Sequence, residues 1–206
     1  MSATLDLDLP QIALDILGSD GAARTGPHAE ASTTAALLTK LGYAAHPALL
    51  AFEDSYGGLQ LFESDPAAAA LVVGPYACLS QAPPYTGRER DLVPVIFAWD
   101  DVIYSLDADG RGWTCAAMVE GVSRPSARDG RQLLTQAILW RALSKHAASL
   151  VSSPGLHGAS RAAQRGLAAI VEASGDTERW WGDTVRLVVE ITRGNGYEEP
   201  LTYATP

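Results

Sequence analysis

The residue types able to do chemistry are present in this chain, but their spacing scatters them. Four histidines (His28, His46, His146, His157) and two cysteines (Cys78, Cys115) are the obvious metal ligands. No histidine stands four residues from another, and no HExxH or Cys/His ladder occurs, so the spacing gives a metal site little support. The cysteines lie in apolar sequence without third and fourth partners beside them, and they read as reduced, buried packing thiols. Serine catalysis is equally thin. There is no GxSxG, and GLHGAS around Ser160 lacks the strand–turn–helix setting of a nucleophile elbow. Asp100 and Asp101 are adjacent at a strand end, where successive side chains point to opposite faces, so they are poor candidates to act together on one atom.

Two stretches imitate binding loops. Asp107–Gly110 reads DADG, but an EF-hand started at Asp107 puts Met118 at the bidentate-glutamate position, and one started at Ser105 puts Ala116 there. A hairpin turn with Asp side-chain caps and a positive-φ glycine is the better reading. Gly57-Gly58 sits in AFEDSYGGLQLFESDP, residues 51–66. A phosphate loop runs strand, glycines, helix; here the order is helix, glycines, strand, and no lysine follows. Gly57 is expected to cap the helix and Gly58 to free the chain to enter the strand. No cofactor is expected.

Composition narrows the class. At 206 residues the chain suits one domain able to fold without disulfides or metal. The first basic residue is Arg24, and the apolar run Ala67–Val73 is far too short for a bilayer, so a soluble, cytoplasmic protein is expected. The net charge of −9 is uneven. Residues 1–110 carry 15 acidic and 4 basic side chains, a balance of −11, and residues 111–206 carry 9 and 11, a balance of +2. Such an acidic half argues against nucleic acid or an anionic membrane and is compatible with a basic protein partner.

The elements that must position these residues follow from periodicity. Residues 1–31 read as loosely organised, with a short helix over Leu9–Leu17. A helix over Thr33–Leu41 starts from Ser32, and another starts at Pro47, with Leu49, Phe52 and Tyr56 as one apolar stripe. Glu53 and Asp54 fall off that stripe and are expected in solvent. Strands are expected at Leu59–Phe62, Tyr76–Leu79, Val93–Trp99 and Val102–Leu106, then through Trp113, Cys115 and Ala117. A helix over Arg128–His146 buries Leu133, Leu134, Ala137, Ile138 and Trp140, with Arg141 intruding on that face. A helix over Gly158–Ala173, with Arg161 and Arg165 exposed, precedes an alternating strand at Val185–Ile191 and a short one at Leu201–Tyr203. The sum is an α+β fold with an antiparallel or mixed central sheet and N- and C-terminal helices packed on it. One of the adjacent Trp180 and Trp181 must face outward on a strand, and Trp181 is a candidate interface anchor.

The segment LGYAAHPALLAFEDSYGGLQLFE resembles the helix, Gly-Gly, strand opening of the SUKH superfamily. LVPVIFAWDDVIYSLDADGRGWTCAAM is similar to that family's later strands and hairpin, and ARDGRQLLTQAILWRAL fits its following helix. The resemblance covers residues 37–143 and leaves 147–206 as a C-terminal extension. It implies a non-enzymatic protein of immunity or scaffold type, immunity members binding a toxin that is often a nuclease or deaminase. Together with the charge, it points to a basic toxin occluded by an acidic surface. The contact candidates are Glu53, Asp54, Tyr56, Glu63 and Asp65 beside the glycines, Asp100, Asp101, Asp107 and Asp109 at strand ends, and Trp181. A scaffold of the same fold is the first alternative. A hydrolase assembling Asp100, His46 and Ser160 in space is the second.

Overall fold

The computed structural model describes residues 6–62, 69–81, 92–98, 102–116, 123–145, 149–150, 158–192 and 201–206. Their helices are α1 (Gln11–Ser19), α2 (Ala31–Lys40), α3 (Pro47–Tyr56), α4 (Pro75–Gln81), α5 (Gly130–Lys145) and α6 (Gly158–Gln164). The strands are β1 (Ala23–Arg24), β2 (Leu59–Phe62), β3 (Ala69–Val73), β4 (Val93–Ala98), β5 (Val102–Leu106) and β6 (Gly112–Ala116). They continue with β7 (Ser123–Ala127), β8 (Ser149–Leu150), β9 (Glu178–Gly182), β10 (Leu187–Ile191) and β11 (Leu201–Ala204).

The fold is α+β, and every strand pair among the described residues is antiparallel. Seven strands form one sheet in chain order, β1 to β7, each pairing with its immediate successor. The other four form a smaller sheet in the order β8-β11-β10-β9. Alternation along β5 places Tyr104 and Leu106 in the main core. Its partners in the alternation, Ile103 on β5 and Cys115 on β6, join Leu92, Phe97 and Trp113 in a separate small apolar cluster. The α5 helix packs across β4 to β7. Trp180, Leu187, Val189 and Ile191 of the smaller sheet belong to the same apolar cluster as the helices and the large sheet. Each fully buried leucine or isoleucine in it contributes roughly 1.5–3 kcal/mol.

α5 is more deeply enclosed than its apolar stripe implies. Every residue from Gln132 to Leu139 is buried, and Trp140 is half-buried. A helix covered all round must satisfy its polar side chains internally. Gln136 Nε2 donates to the carbonyls of Ser126 and Ala173, both at 3.0 Å, and Gln132 Nε2 donates to that of Ser174 at 2.7 Å. Arg141 is accommodated beside Asp20, which also pairs with Lys145, so the ends of α1 and α5 are tied together.

Several expectations are corrected. Tyr76–Leu79 is helical, inside α4, because Pro75 directly after Gly74 opens a helix rather than a strand. α6 stops at Gln164 instead of Ala173, and Arg161 and Arg165 are half-buried, the latter donating to the Thr205 carbonyl at 2.6 Å. α2 begins one residue before Ser32, with Glu30 at the N-cap position. Val185 stands 57% exposed in the turn before β10. Trp99, Ala117 and His146 lie outside the described residues.

Candidate functional site

The joint between α3 and β2 is built around a buried carboxylate. Pro47 opens α3, and Leu49, Phe52 and Tyr56 turn inward, with the Phe52 and Tyr56 rings edge-to-face at 5.1 Å. Glu53 was expected in solvent and is instead fully buried, because α4 and the segment before α2 cover the side of α3 that the apolar stripe leaves open. Its Oε1 accepts from His28 Nδ1 at 3.0 Å and from the Ala29 amide at 3.3 Å; its Oε2 accepts from the Tyr76 amide at 2.9 Å. Three donors converging on two oxygens offset the desolvation of the carboxylate. With a carboxylate as its acceptor, this contact calls for a proton on Nδ1 of the His28 ring.

The glycine pair makes room for this arrangement. A Cβ on Gly57 would overlap both the carbonyl and the Oε1 of Glu53. Gly58 takes φ +76°, a conformation that favours glycine, and its amide donates to Val73 as the chain enters β2. Arg24 fastens the same place from outside, donating from Nε to the Gly57 carbonyl and from Nη2 to the Asp54 carbonyl, each at 2.9 Å. The cap-and-release roles expected of Gly57 and Gly58 hold. The buried acid beneath them was not legible.

The Asp107–Gly110 turn is a side-chain-capped hairpin, as expected. Asp107 Oδ1 accepts from the amides of Asp109 and Arg111 at 3.0 and 2.9 Å, and Oδ2 accepts from Trp113 Nε1 at 2.9 Å. Its carboxylate is therefore engaged within the turn, whereas Asp109 is exposed at the tip.

A second buried acid, missed in the sequence, sits where the two sheets meet. Glu178 on β9 is 1% exposed. Arg124 of β7 donates to its Oε1 at 2.7 Å, and the indole N–H groups of Trp140 and Trp180 both donate to its Oε2 at 3.1 Å. Trp140 packs edge-to-face on Trp180 at 5.3 Å and on Tyr203 at 5.5 Å. Burial pushes the Glu178 carboxyl above the usual range, while Arg124 and the two indoles oppose that shift. The tryptophan pair was the only hint in the sequence. Burial also raises the Cys78 thiol, with the Glu53 charge adding to it, so this cysteine is an inert packing group.

Of the proposed contact residues, Asp54 and Asp109 are exposed and Trp181 is half-buried on β9, while its neighbour Trp180 is enclosed. Glu53 and Tyr56 are corrected. Both are buried, and Tyr56 Oη donates inward to the Asp8 carbonyl at 3.0 Å, so neither presents a side chain to a partner. Glu63, Asp65, Asp100 and Asp101 lie outside the described residues. Asp6, Asp8, Asp15 and Glu30 join Asp54 and Asp109 as exposed acids of the N-terminal half, with Asp8 shared by Arg131 at 3.3 Å. His46 precedes α3, and Ser160 is exposed on α6, which packs against β9 and β10.

Among the described residues no group of three His, Cys, Asp or Glu side chains could hold a metal ion, and no helix is long and apolar enough to cross a membrane. No family model, no curated protein and no solved structure matches the chain.

Proposed function

We propose that this chain is a cytoplasmic, non-enzymatic binding protein of immunity type, related to the SUKH superfamily, that neutralises a basic protein toxin of nuclease or deaminase class. The observation that carries the reading is the sorting of acids in the N-terminal half. Glu53 and Asp107 are held internally as structural acceptors, whereas Glu30, Asp54 and Asp109 stand exposed around the same framework. Exposed acids fixed on a helix and a tight turn suit a basic groove better than mobile ones would, because little order is lost on docking. They would act by steering, raising the association rate, with a half-buried aromatic such as Trp181 slowing dissociation.

The test is a native pull-down with the whole chain as bait, eluted through a salt gradient, with retained proteins identified by mass spectrometry. One basic toxin-like domain held in stoichiometric amount and released earlier at high salt supports the reading. A stoichiometric housekeeping protein would make the chain a scaffold. Retention of a small molecule alone would replace the proposal with a ligand-binding or enzymatic role.

A further inference from the structure

We draw no further inference here: the strongest candidate, the half-exposed His28 imidazole held on the buried Glu53 carboxylate beside the glycine joint, belongs to the fastening already described, and nothing in the structure shows what it would act on.

Discussion

Glu53 Oε1 and His28 Nδ1 stand 3.0 Å apart, with 42% of the histidine side chain open to solvent and none of the glutamate's. The contact fastens the chain before α2 to the last turn of α3. Its strength comes mainly from the buried side, where the amides of Ala29 and Tyr76 have the same carboxylate as their acceptor.

Glu53→Ala leaves both part-buried amides without that acceptor, and each donor left unsatisfied costs about 1–3 kcal/mol, so a loss of about 2–3 kcal/mol is expected in urea unfolding. His28→Ala removes a group already partly in water and should cost about 1 kcal/mol. The reverse order would mean that the imidazole, not the backbone, anchors the carboxylate.

Gly57→Ala is a steric test, because Gly57 has φ −54°, which any residue adopts. Overlap with Glu53 should cost about 1–3 kcal/mol. In a Glu53→Ala background the overlapping Oε1 and Cδ are gone and only the Glu53 carbonyl remains, so the Gly57→Ala penalty should shrink in a double-mutant cycle. Simple additivity would refute the idea that the glycine exists to seat this acid.

Glu178 gives the protein a pH dependence opposite to that of an ordinary paired carboxylate. Its folded pKa is raised, so above the usual glutamate range the folded state holds more proton than the unfolded one. The stability this group contributes is full below the unfolded value and declines as pH rises through the raised folded one. Unfolding midpoints followed upward from about pH 4.5 should show that decline, and Glu178→Gln should remove it. A slope unchanged in the variant would place its origin elsewhere.

The two tryptophans should separate cleanly. Trp180→Ala empties a fully enclosed site and removes a donor from Glu178, for a loss of about 3–5 kcal/mol in thermal or urea unfolding. Trp181→Ala, at a half-buried position, should cost less than about 2 kcal/mol. If Trp181 anchors a partner, its removal raises the dissociation rate without a matching loss of fold.

Charge reversal at Asp54 and Asp109 should leave stability within about 0.5 kcal/mol, because both are exposed. The association rate with a basic partner should fall several-fold for each, together with its salt sensitivity, in stopped-flow or surface-resonance measurements. Asp107→Ala is the contrasting control. It removes the acceptor of two amides and an indole, so its effect should appear in stability, by about 1–2 kcal/mol.

Where one local rule governs, the sequence was readable. Pro47 and the Leu49, Phe52, Tyr56 stripe define α3, and Asp107 with Gly110 defines the β5–β6 turn. Leu187 to Ile191 form a strand as their alternation requires. Where tertiary cover decides, it was not. Glu53 lies off its helix's apolar stripe and is buried because α4 closes over it, a fact of packing between distant segments. Glu178 is marked locally only by Trp180 two residues on, since its other partners Arg124 and Trp140 lie 54 and 38 residues away. Tyr76–Leu79 is short and apolar, a length at which helix and strand look alike. Ser123–Ala127, with Pro125 at its centre, is a strand on the rim of the large sheet, where proline is tolerated.

The order of strands in the two sheets has a consequence for synthesis. The large sheet pairs each strand with the one made before it, so it can grow strand by strand as the chain leaves the ribosome. The small sheet cannot, because β11, the last of its strands to emerge, lies between β8 and β10. Until residues 201–204 dock, the inner edge of β10 stays unpaired, whatever pairing it makes with β9. An unpaired edge of that kind invites pairing with other chains, so the small sheet is open to aggregation until its last strand docks.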